Sequence, residues 1–164
     1  MLSFRFMKLI ALLFLVLLPV VGISQRLSTT FNDDFSRWRF DGGSINTTFS
    51  GDYNSWSNNG KKIRTIFHDD WNQWRIGNNV RLKTVFHDDY NSWEITGDGK
   101  TVRIRSTFSN DLERWSVSGD TDGSINTVFM KSFDRWNVDV DFSEVSDDMK
   151  LAIIFIAIFT AINQ

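Results

Sequence analysis

Five aspartates each stand three residues after a phenylalanine and directly before an apolar side chain. The pairs are Asp34-Phe35, Asp52-Tyr53, Asp70-Trp71, Asp89-Tyr90 and Asp111-Leu112, with Ser132-Phe133 as a sixth, altered copy. A carboxylate beside a flat ring suits sugar recognition, since the ring stacks on a sugar face while the carboxylate accepts hydroxyl protons. Loop carboxylates also suit calcium, which takes six to eight oxygens. No Asp-x-Asp-x-Asp-Gly loop occurs, however, and an aspartate in a turn has a local duty, accepting from a backbone N–H nearby. His68 and His87, the only histidines, hold equivalent places before Asp-Asp. They would share a metal with Asp69 or Asp88 only if their turns meet; inherited turn residues are the plainer reading. No nucleophile triad, phosphate-cradling glycine loop or zinc spacing is present. No catalytic residue, metal or cofactor is therefore expected. The candidate ligand contacts are Phe35, Tyr53, Trp71 and Tyr90 with Asp34, Asp52, Asp70 and Asp89. The competing reading has these rings fold back and plug the end of a core.

What positions these residues is a six-fold repeat. Its phenylalanines are Phe31, Phe49, Phe67, Phe86, Phe108 and Phe129. Seven residues after each comes Trp38, Trp56, Trp74, Trp93, Trp115 or Trp136. In the third copy Ile63, Thr65 and Phe67 are spaced by two, and so are Trp74 and Ile76. Period two is the mark of a strand with one set of side chains on one face. A six-residue loop separates the two runs, and Gly77-Asn78-Asn79 follows. Other copies end on Asp41-Gly42, Asn59-Gly60 or Asp98-Gly99, which are hairpin turns. Six hairpins predict about twelve short antiparallel strands in a meander. The inward columns are expected to be Leu27 and its equivalents, Thr29 and its equivalents, the phenylalanines, the tryptophans, and Phe40, Asn58, Ile76, Ile95, Val117 and Val138. Asn58 is the polar exception in the last column. The other face carries basic residues, among them Arg39, Arg75, Arg103 and Arg135.

Residues 1–24 read as a secretory signal peptide: Arg5 and Lys8, an apolar run from Leu9 to Val21, then Gly22-Ile23-Ser24. The run falls short of the ~20 residues that a membrane span needs. Export to the periplasm, cell surface or medium is expected. Residues 25–145 form the repeats and 146–164 a final element of the same domain. Loss of the leader leaves 16 basic against 20 acidic residues, which argues against general nucleic-acid affinity. Cysteine is absent, so packing must supply the stability.

Ser146-Asp147-Asp148 reads as a capped helix start with acids at the positive end of the dipole. The stretch Leu151 to Ile162 is apolar on all sides, so protein or lipid must surround it. Twelve strands about 4.8 Å apart and tilted by about 40° close into a barrel of radius roughly 12 Å. A helix of radius about 5–6 Å fits inside, beside a layer of inward side chains. Twelve antiparallel strands followed by an apolar C-terminal helix resemble the Tubby-like and LURP-one barrels. That resemblance implies a closed barrel filled by the helix. It transfers no binding residue, since the Phe/Trp repeat is not that family's pattern. A curled open sheet with the helix on its concave face is the alternative.

The expected function is that of an exported, non-enzymatic β-repeat protein with a structural or interaction role. A carbohydrate or small-ligand module using the loop rim is one alternative, and membrane association through the C-terminal helix is another. The partner is expected to be a protein or glycan, with no nucleic acid.

Overall fold

The computed structural model describes residues 24–109 and 111–164. The signal-peptide reading of residues 1–24 thus falls almost wholly outside the described residues. Twelve strands follow in chain order as six hairpins. They are β1 (Gln25–Thr29) with β2 (Arg37–Phe40), β3 (Gly43–Phe49) with β4 (Asp52–Asn58), and β5 (Lys61–Thr65) with β6 (Gln73–Ile76). Then come β7 (Val80–Phe86) with β8 (Asp89–Gly97), β9 (Lys100–Phe108) with β10 (Asp111–Gly119), and β11 (Gly123–Phe129) with β12 (Ser132–Val140). Each strand pairs antiparallel with its sequence neighbours, and β1 pairs with β12, placing Gln25 opposite Val138 and Leu27 opposite Trp136. The sheet is therefore a closed meander barrel, not an open curl.

The two ends of the barrel differ. One end carries three type I′ turns in which both central residues have positive φ: Asp41-Gly42, Asn59-Gly60 and Asp98-Gly99. The other end carries the six turns that join each odd strand to the next, from Asp34-Phe35 to Ser132-Phe133, because every odd strand runs toward it. We call it the repeat rim. Only two of its connections, residues 30–36 and 66–72, are long loops. In the hairpins of β3, β7 and β11 the strand resumes after two residues, so the expected six-residue loop is a bulged strand instead.

Helix α1 (Asp147–Ile162) runs through the barrel from the type I′ end to the repeat rim. Ser146 caps it, accepting from the Met149 N–H at 3.4 Å. Lys61 Nζ holds Asp148 at 2.6 Å, and Lys150 Nζ holds Asp41 at 2.7 Å. These ties seat the helix start on the surrounding turns. Gly77 lies so close that a Cβ there would sit 2.0 Å from the Asp148 carboxylate, and its φ is +57°. A side chain there would have to displace that carboxylate from Lys61, and glycine adopts the left-handed φ without strain. From Leu151 to Ala161 every helix residue is buried. Phe155 sits between Trp74 (4.8 Å between ring centroids) and Trp56 (5.8 Å). Phe159 meets Trp93 and Tyr90, both at 5.0 Å. The sheet encloses the helix, so it has no apolar face left for lipid.

The Leu27 column and the tryptophan column are buried throughout. The phenylalanine column is a correction. Phe31, Phe49, Phe67, Phe86, Phe108 and Phe129 were expected inside, yet they are 58%, 65%, 62%, 67%, 58% and 58% exposed. Period two fails there because the register breaks. Thr47 faces Trp56 and Phe49 faces Asp52, so two steps on one strand meet four on the other. The slack lets the aromatic after the aspartate pack against the core. It occupies the level that simple alternation assigns to the phenylalanine, which stands beyond it in solvent.

Phe155 is wholly enclosed by tryptophans of the sheet, so Phe155→Ala should cost about 3–5 kcal/mol. Urea unfolding will show this as a lower midpoint with an unchanged slope. An equal midpoint would mean that the helix is not part of the core.

Candidate functional site

The repeat rim is built from three local interactions. First, each aspartate caps its own turn. Asp52 Oδ1 accepts the Asn54 N–H at 2.9 Å, and Asp34, Asp70, Asp89 and Asp111 accept equivalent N–H groups at 3.0 Å. Second, the residue before the aspartate, or before Ser132 in the sixth copy, is left-handed: Asp33, Gly51, Asp69, Asp88 and Lys131 have φ between 59° and 77°. Gly, Asp and Asn tolerate that region best. The doubled acids of Asp33-Asp34, Asp69-Asp70 and Asp88-Asp89 are thus turn chemistry. Third, each tryptophan N–H donates to the carbonyl of the residue three before it. Trp38 reaches Phe35 O at 2.8 Å, Trp56 reaches Tyr53 O at 2.9 Å, and Trp74 reaches Trp71 O at 2.8 Å. Trp93, Trp115 and Trp136 do the same with Tyr90, Leu112 and Phe133.

The candidate rings Phe35, Tyr53, Trp71 and Tyr90 are half-buried and pack against the core. Tyr53 lies 5.9 Å from Trp56, and Tyr90 lies 5.9 Å from Trp93. Trp71 also donates to Asn54 Oδ1 at 3.1 Å. The four aspartates are brought to one rim, but each stays within its own turn. His68 and His87 do not meet; each pairs with the aspartate beside it, at 3.6 and 2.9 Å. Among the described residues no three metal-ligating side chains gather.

Sequence reasoning missed the asparagines that lace the repeats together. Asn72 is buried, donates to Asp88 Oδ1 at 2.9 Å, and accepts the Asp88 N–H at 2.7 Å. Its hydrogen bond is the chief cause that holds the Asp88 carboxyl below the usual range, with the His87 pair adding to it. Asn54 reaches Asp69 Oδ1 at 2.9 Å. The signal for both was the recurrent Asn two residues after Asp. It also missed the exposure of the phenylalanines, which leaves six apolar side chains evenly placed around the rim.

At the type I′ end, a half-open cavity of about 310 Å³ lies over Ile45, Leu151 and Ile154. Asn58 lines it, where four of the other repeats place Ile or Val and one places Phe40. Its amide donates to Ser44 O at 2.9 Å. Comparison with protein-family models, with curated proteins and with solved structures finds no match for the chain.

Two outcomes follow from these geometries. Filling the cavity with Asn58→Ile restores the repeat's apolar column and should raise stability by about 1 kcal/mol; a lower melting temperature would show that the Ser44 hydrogen bond matters more. Hydrogen bonds from the Ser36 hydroxyl, opposed by desolvation and helped by the Ser36 N–H and Arg37, hold the Asp34 carboxyl below its ordinary value. A depressed carboxyl stabilises the fold above its unfolded pKa of about 3.9 and loses that contribution as pH falls through the lower folded value. Asp34→Asn should therefore lower the urea midpoint at neutral pH, leave it nearly unchanged below the folded pKa, and so flatten the acid limb between them.

Proposed function

We propose that the mature chain is an exported, non-enzymatic interaction module that docks through its six rim phenylalanines. One observation carries this reading. All six repeats keep phenylalanine at a position that is 58–67% exposed, where it adds little to the core. The neighbouring positions have diverged. The two turn residues after it are Asn32-Asp33, Ser50-Gly51, His68-Asp69, His87-Asp88, Ser109-Asn110 and Met130-Lys131. The residue before it is Thr30, Thr48, Ile66, Val85, Thr107 or Val128. Duplication alone would have let the phenylalanine drift with them. Soluble proteins do carry single exposed apolar residues without consequence. Six at one structural position are a pattern, and contiguous or repeated exposed apolar surface marks interaction sites.

The aspartates support the same reading by elimination: their carboxylates cap turns, while Phe35, Tyr53 and Tyr90 pack on tryptophans and Trp71 packs on Phe159. A glycan would have to stack on the phenylalanine rings instead of on Phe35, Tyr53, Trp71 or Tyr90. The leader pattern at residues 1–24 supports export.

The test replaces Phe31, Phe49, Phe67, Phe86, Phe108 and Phe129 together by serine. Exposed substitutions away from caps and core usually shift stability by no more than about 0.5 kcal/mol each. The variant should keep a cooperative melt. Wild-type protein should be retained on at least one member of a panel of insoluble polysaccharides, lipid-coated beads and immobilised copies of the chain, and the variant on none. Equal retention of both proteins would overturn the reading, as would a variant that fails to fold.

A further inference from the structure

We infer that the rim phenylalanines insert into the interfacial layer of a lipid bilayer poor in anionic lipid. This rests on the docking role proposed for the rim and names its partner.

What is constant around the rim is a phenylalanine ring, followed in five of the six copies by a turn-capping acid; the side chains between them differ in size, charge and hydrogen-bonding capacity. A partner that read polar detail would meet six different constellations. A partner that accepts an apolar ring at any point would meet six equal ones. The geometry adds a second condition. Each phenylalanine holds the same sequence place in its repeat, ending β3, β7, β9 and β11 and lying two residues past β1 and β5, and the hairpins close into one ring. Two strands per repeat set neighbouring phenylalanines roughly 12 Å apart, on a circle roughly 24 Å across. The partner must therefore offer the same apolar acceptance all round such a circle. A bilayer surface is laterally uniform and does so without any matching symmetry.

A second copy, rim to rim, also matches the ring. Charge opposes it. The six turns carry ten carboxylates, from Asp33 to Asp134, against Lys131 within them and Arg37, Arg114 and Arg135 at their ends, where Arg37 and Arg135 pair with Asp34 and Asp134; the balance stays acidic. Facing rims would press two acidic rings together. The same carboxylates oppose anionic lipid, which attracts basic segments. A zwitterionic surface is the one that the charge pattern permits.

The depth is set by the chain. An aspartate lies three residues beyond each of the first five phenylalanines, and the wall of the barrel bears exposed arginines such as Arg39, Arg75 and Arg103. Insertion stops at the headgroup–acyl boundary, roughly 5–10 Å deep. The barrel thus rests on the surface and does not cross it. The described chain enters β1 at the opposite end, where Gln25 pairs with Val138, so residue 24 does not obstruct the ring.

The mature chain, residues 25–164, is mixed with phosphatidylcholine vesicles and floated on a density gradient. Wild type is expected to float. Adding about 30% phosphatidylserine should weaken binding severalfold at low salt, and added salt should restore part of it. The six-serine variant should bind at least about tenfold more weakly. Phe86→Trp supplies a reporter, since the column tryptophans are buried. Its emission should shift to the blue with vesicles and be quenched by brominated acyl chains. Failure of the wild type to float, while the six-serine variant still loses retention on polysaccharide, would overturn the lipid assignment and leave the docking rim standing. Equal flotation of both proteins would overturn the rim as well. A dimer in sedimentation velocity that the six-serine variant loses, without flotation, would assign the ring to a second copy and overturn the inference.

Discussion

A wholly buried indole still carries an N–H that needs an acceptor. In this barrel the acceptor is always the carbonyl three residues earlier in the chain, at 2.8–3.1 Å. That bond lies within one strand or loop, so a regular extended strand cannot make it. The segment from aspartate to tryptophan has to buckle, and the buckle is the bulge seen opposite the Thr47–Phe49 step. The aspartate closes the other side by capping the turn. Buried tryptophan, bulge and capped turn are one local unit. It explains why Phe alone would not serve at the tryptophan position, since Phe fills space but leaves the carbonyl unpaired.

The unit also dictates what lies inside. Six such hairpins close with twelve strands, a ring too wide for sheet side chains to fill by themselves. The remaining axis takes α1, and this is why that helix is apolar on every side instead of along a stripe. Its polar contacts gather at its start, where Ser146, Asp148 and Lys150 bond to Asp98, Lys61 and Asp41. The repeats and the helix therefore depend on each other although they lie apart in sequence. Neither buries its apolar surface without the other.

Most of this was legible from residue spacing. Hairpin turns announced themselves as Asp-Gly and Asn-Gly, the Leu27 and tryptophan columns as period two, and the helix as a capped apolar run. The strand number, with standard spacing and tilt, even gave room for the helix. The phenylalanine column was misread because alternation holds only while register holds. Two extra residues on the facing strand moved the aromatic after Asp into the place reserved for Phe. The sequence does carry a trace of that bulge, in Asp followed two residues later by Asn. Its meaning needs the partner strand, because Asn54 and Asn72 bond mostly to the next repeat. The long-range lacing of the rim was invisible for the same reason.

The internal copies also separate structural constraint from other constraint. At the aspartate position the sixth repeat has Ser132, whose hydroxyl donates to the Asp134 carboxylate in the same turn. The fifth repeat replaces the packed aromatic by Leu112, which still offers its carbonyl to Trp115 at 3.1 Å. Positions with a known structural duty have thus accepted substitutes, and at Leu112 the substitute still performs the duty. The exposed phenylalanine, for which packing asks little, has accepted none in six copies. The column tryptophans are invariant as well, but their burial explains it; the exposed phenylalanines have no such account in the packing, and the docking role proposed for the rim would supply one.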